Sequence, residues 1–263
     1  MIFCRHLSGG GKPIGKEEQI MMRDWETELK SRTHYIRGMV EESGASGVVY
    51  GNSGGKDATL VGILLKKSGV NSLGVIMPCE SSRNYQEDRD DALAVAAQYD
   101  IPTIQVDITQ VKKALTDSVE TQVELKPSAA VNINPRLRMT VLYTVAGSKN
   151  YLVSGTGNRS EATMGYFTKW GDGAYDFNPI SDLTVTEIYD FLRYLGAPEN
   201  IIAKPPSAGL YEGQTDEQEM GITYEEIDQY ILYKTGSEKN IEKIESALRR
   251  NAHKRRLPSV YKE

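Results

Sequence analysis

Apolar residues change their spacing along the first part of the chain, and each change predicts an element. From Glu17 onward Ile20, Met21, Trp25, Leu29, Ile36, Met39 and Val40 recur near the helical period, predicting one long amphipathic helix that Gly44 and Gly47 end. Short continuous apolar runs then alternate with helical stretches: GVVY (47–50), a helix from Asp57 to Lys67, LGVIM (73–77), a helix from Gln86 to Tyr99, and TIQVDI (103–108). Strand, helix, strand, helix, strand in that order predicts parallel pairing under a cover of helices. A helix from Pro135 to Lys149, with proline in its first turn, leads into YLVSG (151–155) as a fourth strand. Helices near 184–195, 223–232 and 238–250 complete the pattern. The expected fold class is α/β, a Rossmann-like parallel sheet flanked by helices in a single domain, which 263 residues suffice to build around one core.

Three stretches break the pattern. Residues 1–16 are rich in glycine and carry no periodicity, so they read as a flexible N-terminal extension before a catalytic domain at 17–263. Pro78–Asp88 and Lys204–Gly221 are long connections for a compact domain and are candidate active-site lids, the second expected to be mobile without ligand and ordered with it. Ordinary polar surface loops have the same composition.

Charge and cysteine usage narrow the function. With 31 Lys+Arg against 36 Asp+Glu the net charge is −5, the wrong sign for a general binder of nucleic acid or of an anionic membrane. Phosphate recognition therefore falls to local clusters. The two cysteines, Cys4 and Cys79, have no zinc-ligand or disulfide spacing, which fits a reducing cytoplasm. No stretch is apolar for long enough to span a bilayer, and no secretory leader is evident.

The chemistry concentrates at Gly51-Asn52-Ser53-Gly54-Gly55-Lys56-Asp57, directly after the first strand and directly before a helix. Backbone N–H groups at such a turn face an anion. The segment departs from a Walker A loop, since Tyr50 stands where the first glycine belongs and Asp57 replaces the hydroxyl residue. A carboxylate beside phosphates calls for a Mg²⁺ between them to offset the repulsion, an arrangement suited to pyrophosphate as leaving group. A glycine-rich turn with Asp57 as a simple helix cap is the plainer alternative.

The Ser-Gly-Gly-x-Asp turn resembles that of the ATP pyrophosphatases, which adenylate a carboxylate or carbonyl oxygen. From Asn132 onward NINPRLRM (132–139), GTGNRSEATMGYFTKWGDGAYDFNPI (155–180), KPPSAGLYEGQTDEQEMG (204–221) and HKRRLP (253–258) resemble bacterial NAD synthetases, in their single-domain, ammonia-using form. The resemblance spans nearly all of the chain after Glu17 and implies an adenine-nucleotide hydrolase-like sheet. It also implies ATP-dependent amidation of nicotinic acid adenine dinucleotide (deamido-NAD) by ammonia, through an acyl-adenylate, giving NAD, AMP and pyrophosphate.

Carried over residue by residue, the resemblance implies ATP contacts at Gly51, Asn52, Ser53, Gly54, Gly55, Lys56, Asp57 and Ala58, with Thr156 and Ser207 near the same nucleotide. Asp57 and Glu161 would hold Mg²⁺. Arg136, Lys169, Asp176, His253 and Lys254 match contacts to deamido-NAD, and a homodimer formed partly by helices from 135 onward is implied. Asp172, in the GDG turn, is the candidate acceptor for the proton that ammonium must lose, and Arg138 is left unassigned. By default the run His253–Arg256 would be a solvated basic end. The chain departs from the family where Ala58 replaces a serine and Val185 replaces a lysine that approaches ATP, which predicts weaker nucleotide affinity. Two rivals remain: a thiolating or sulfate-activating pyrophosphatase, disfavoured by where Cys4 and Cys79 fall, and a non-catalytic nucleotide sensor, disfavoured by the retention of Asp57 and Glu161.

Overall fold

The computed structural model describes residues 23–79, 87–204 and 215–261. The expected extension at 1–16, residues 80–86 of the first lid candidate and residues 205–214 of the second, Ser207 among them, lie outside the described residues.

Helix α1 (Trp25–Ser43) begins at Asp24, whose side chain accepts from the Glu26 N–H, and ends at Gly44 in the left-handed region, where glycine carries no Cβ penalty. Strand β1 (Gly47–Gly51), helix α2 (Lys56–Ser68), strand β2 (Ser72–Ile76), helix α3 (Glu87–Gln98) and strand β3 (Thr103–Gln105) follow in the alternation expected from the apolar runs. Helices α4 (Thr109–Glu120), α5 (Pro127–Ala130) and α6 (Ile133–Lys149) lead to strand β4 (Tyr151–Ser154). The C-terminal part is helical: α7 (Arg159–Met164), α8 (Val185–Leu195), α9 (Glu199–Ala203), α10 (Asp216–Met220), α11 (Tyr224–Tyr233) and α12 (Glu238–Arg250), then a 3₁₀ turn at Ala252–Arg255.

The four strands form one parallel sheet in the order β3-β2-β1-β4, with Val48 opposite Ser72 on one side and Leu152 on the other. The chain winds outward from β1 to β3 and then returns to lay β4 on the opposite edge of β1. That reversal leaves a crevice beyond the carboxyl ends of β1 and β4, the place where open α/β sheets bind ligands.

Both sheet faces are covered, as parallel strands require. On one face Val48 and Tyr50 pack with Ile36 of α1, Leu60, Ile63 and Leu64 of α2, and Phe191 and Leu192 of α8. On the other, Val49, Val75 and Val153 pack against α6 through Ala146. Helix α2 is buried along ten of its thirteen residues, so its amino end is held rigidly at the crevice. A separate apolar cluster of Met164, Val185, Tyr224, Ile227 and Ile244 binds α7 to α11 and α12.

Two differences from the sequence expectation have local causes. The third strand stops at Gln105, because the Asp107 carboxylate accepts from the Thr109 N–H and turns the chain into α4. Helix α4 was not legible, since Val111 and Leu115 carry a helical spacing but none of its residues is buried.

Candidate active site

Beyond β1 the chain passes Asn52 and Ser53 into Gly54, whose φ of 73° places it in the left-handed region. Gly55 then starts α2 without a side-chain cap, and the first N–H to find a helical acceptor is that of Thr59, on Gly55 O. The N–H groups of residues 56 to 58, in the first turn, have no intrahelical partner. No side chain fits at Gly54, where a Cβ would collide with the Asp88 carbonyl of α3.

Beyond β4 the chain runs through Gly155-Thr156-Gly157 to Asn158, which caps α7 reciprocally with Glu161. The Asn158 Oδ1 accepts from Glu161 N at 2.9 Å, and Glu161 Oε2 accepts from Asn158 N at 3.1 Å. The Asn158 amide also donates to Asp57 Oδ1 at 3.2 Å, while Lys56 Nζ meets Asp57 Oδ2 at 2.8 Å. Four polar side chains from two strand ends thus form one network. Burial and then the Asp57 charge push the Glu161 carboxyl above its ordinary range, against the pull of Lys56. Burial works against the Lys56 charge, yet Asp57 and Glu161 more than offset it, and its ammonium is held firmly protonated.

A cavity of about 470 Å³ opens over this network. Of the residues expected to contact ATP, Gly51, Asn52, Ser53, Gly55, Lys56, Asp57, Ala58 and Thr156 line it, together with Glu161. Gly54 does not, because it is pressed against α3. The far wall carries Asp172 and Lys254. Asp172 is exposed on the cavity surface and its Oδ1 accepts from Thr168 N at 2.9 Å; the protein around the carboxyl raises it above the usual range, an effect that the Thr168 N–H, Arg138 and Lys254 oppose. Lys254 Nζ donates to the carbonyls of Gly165 and Phe167 at 2.8 Å each, and burial lowers it from the ordinary lysine value.

Arg136, Lys169, Asp176 and His253 lie outside this wall. Arg136 Nη2 donates to Lys169 O at 3.4 Å, and Lys169 Nζ donates to His253 O at 3.0 Å, so these three form a continuous exterior strip that leads to Lys254. The Asp176 carboxylate accepts from Val153 N at 2.7 Å and from the Tyr143 hydroxyl at 3.1 Å, which anchors it to β4 and α6.

Sequence reasoning passed over Asn158, although Asn158-Arg159-Ser160-Glu161 has the form of a helix capping pair. It also left Arg138 unassigned. The structure puts Arg138 on the cavity wall, two residues from the exposed Arg136, as helical geometry separates such neighbours. Asp88, Lys204 and Asp216 line the cavity as well; Lys204 and Asp216 fall within the 204–221 stretch that carries the resemblance, but none of the three was assigned a contact.

The sequence model of the NAD synthase family matches residues 28–258. A relative from Carboxydothermus hydrogenoformans, an NH(3)-dependent NAD(+) synthetase, is 46% identical over 243 residues, covering 91% of this chain and 99% of its own.

The chain belongs to the NAD synthase family.

Solved structures agree with that membership. An NMN synthetase from Francisella tularensis superposes with a TM-score of 0.87 at 34% identity, covering 91% of this chain and 99% of its own. An NH3-dependent NAD synthetase from Campylobacter jejuni, in complex with the nitrate ion, gives 0.76 at 30%, covering 92% and 100%. In this NAD synthase chain the two departures have different settings: Ala58 lines the cavity, whereas Val185 is packed into the apolar cluster beneath α11.

Proposed function

We propose that the chain is an ammonia-dependent ligase that amidates nicotinic acid adenine dinucleotide to NAD, consuming ATP. What supports this reading most is the meeting, at the crevice between β1 and β4, of an uncapped helix end with the carboxylates of Asp57 and Glu161. Phosphates fit the N–H groups of residues 56 to 58. Mg²⁺ fits the two carboxylates: they are hard oxygen donors whose mutual repulsion a cation relieves, and phosphate oxygens complete such sites. Among the described residues no third Asp, Glu, His or Cys joins them in a metal-binding group. When bound, the ion would neutralise charge on the phosphates and on departing pyrophosphate.

A nicotinate carboxylate reacts poorly with ammonia because its oxygen is a poor leaving group. In the proposed first step that oxygen attacks the α-phosphorus of ATP, the bond to the β-phosphate bridging oxygen breaks, and pyrophosphate leaves. Ammonia then attacks the acyl carbon, the acyl C–O bond breaks, and AMP departs with the carboxylate oxygen. Asp172 binds the incoming ammonium and accepts its proton, with Lys254 and Arg138 flanking it on the same wall. The exterior strip of Arg136, Lys169 and His253, with Asp176 nearby, receives the dinucleotide, and Ser207, outside the described residues, is the ATP contact that the resemblance implies.

A homodimer accompanies this reading. Tyr143, on the helix from 135 onward expected at the subunit boundary, is an exposed apolar side chain, and Val111, Leu115, Val123 and Val131, which precede that helix, are exposed as well. Among the described residues no helix is long and apolar enough to cross a membrane; the cysteine usage fits a reducing cytoplasm, where we place the reaction.

The likeness to the Francisella NMN synthetase favours a second substrate, nicotinic acid mononucleotide. Purified protein given ATP, Mg²⁺ and ammonium, with each acid in turn, decides between them. A higher kcat/KM on the dinucleotide supports the reading, and a higher one on the mononucleotide replaces the substrate. Glutamine freed of ammonia is expected to support neither reaction, and turnover with it would contradict the ammonia dependence.

A further inference from the structure

Lys204 stands at the end of α9, far in sequence from the phosphate-binding turn, yet it lines the same cavity. Its Nζ lies 2.8 Å from Asp88 Oδ1 and 2.6 Å from Asp91 Oδ2, both on the first turns of α3. All three side chains are mostly covered, at 16%, 19% and 21% exposure, which makes this pair less screened than a surface ion pair. Burial works against the Lys204 charge and the two carboxylates more than offset it. Asn200, also on α9, donates to Asp91 Oδ1 at 2.8 Å. Helix α9 is itself fixed to the core through Ile201 and Ile202.

The start of α3 is also what the turn rests on. Gly54 has no room for a Cβ because the Asp88 carbonyl and the Ala92 N–H press against it, and Asn52 Nδ2 donates to Ala92 O at 3.3 Å. The turn therefore has one immobile side, α2, and one side whose position depends on α3. We infer that Lys204 is a positioning residue for the phosphate-binding turn, acting through Asp88, Asp91 and the first turns of α3 rather than by touching ATP. This rests on the ligase reading above, and it adds a residue and a route outside the turn at 51–57.

The alternative is that Lys204 contacts a phosphate directly, since its side chain reaches the cavity. Asp91 separates the two, because it is part of the clamp and not of the cavity wall. Under direct contact, Asp91→Asn frees Lys204 for phosphate and binding stays equal or tightens. Under the clamp it weakens binding, although it removes a negative charge near the nucleotide.

The test is calorimetric binding of a non-hydrolysable ATP analogue with Mg²⁺ to the whole chain and to Lys204→Met, Lys204→Arg and Asp91→Asn, with steady-state constants measured alongside. Lys204→Met is expected to weaken binding roughly tenfold and Asp91→Asn by about threefold in the same direction, the range through which packed networks couple. Lys204→Arg recovers most of the loss, and KM for the dinucleotide stays within about twofold throughout, where a general folding defect would raise both. Asp91→Asn binding as tightly as wild type or tighter overturns the inference, as does Lys204→Arg failing as fully as Lys204→Met. Should Lys204→Met not fold, Asp91→Asn alone decides. A wild-type chain that does not bind the analogue overturns the ligase reading and the inference with it, whereas wild-type binding matched by every variant overturns the inference alone.

Discussion

Asn158 holds Asp57 at 3.2 Å through its side-chain amide while its carbonyl oxygen caps the helix that carries Glu161. One neutral residue therefore sets the spacing of both carboxylates proposed to hold Mg²⁺, by joining the end of β4 to the start of α2. Replacing it with alanine removes a helix cap, worth about 1 kcal/mol, and frees both acids to move apart. Asn158→Ala is expected to unfold a few degrees lower, to need more Mg²⁺ for half-maximal pyrophosphate release, and to adenylate roughly ten- to a hundredfold more slowly. An unchanged Mg²⁺ requirement would show that Asn158 serves α7 alone.

The metal carboxylates and the ammonia-side carboxylate should fail at different steps. Asp57→Ala is expected to abolish pyrophosphate release from ATP plus nicotinic acid adenine dinucleotide. Asp172→Asn should still form the adenylate in a single turnover without ammonium, and lose roughly 10²–10⁴-fold in amide formation. Because Asp172 is raised above the ordinary carboxyl range and acts as a base only when ionised, wild-type amide formation at fixed free ammonia should fall as pH drops through that raised value. The acid limb should be missing in Asp172→Asn. If that variant instead blocks adenylation as completely as Asp57→Ala, Asp172 binds substrate or shapes its turn.

Stability should depend on a buried acid outside the cavity. Asp228, 2% exposed, accepts from Ser160 Oγ at 2.5 Å, Thr186 N at 2.8 Å and Thr186 Oγ1 at 2.7 Å, which pins α7 and the start of α8 to α11. Asp228→Ala leaves these donors buried without an acceptor, at a cost of about 2–4 kcal/mol. Thermal unfolding should fall by roughly 5–15 °C. A shift under about 2 °C would mean that water replaces the carboxylate.

How far the sequence reached follows from what each element buries. The strands β1, β2 and β4 and helix α2 were legible because parallel strands covered on both faces read as unbroken apolar runs, and because Gly54 marks a turn with no room for a Cβ beneath α3. The turn at 51–57 was named from the sequence, as were Asp172 and Lys254, and all of them except Gly54 line one cavity. Helix α4 was missed because it is at most half-buried against the described residues. Lys204 and Asp88 were passed over as site residues for a different reason: their pairing joins positions 116 apart, and no local pattern encodes which aspartate a lysine will meet. Arg138 was left open because sequence spacing shows that it and Arg136 diverge but not which of them turns inward.

The most direct test of the account follows the substrate oxygen. Nicotinic acid adenine dinucleotide labelled with ¹⁸O in its carboxylate is turned over with ATP and ammonium, and the AMP and pyrophosphate are analysed by mass spectrometry. An acyl-adenylate formed by attack on the α-phosphorus places one ¹⁸O in each AMP and none in pyrophosphate. Unlabelled AMP, or label in pyrophosphate or inorganic phosphate, would contradict it.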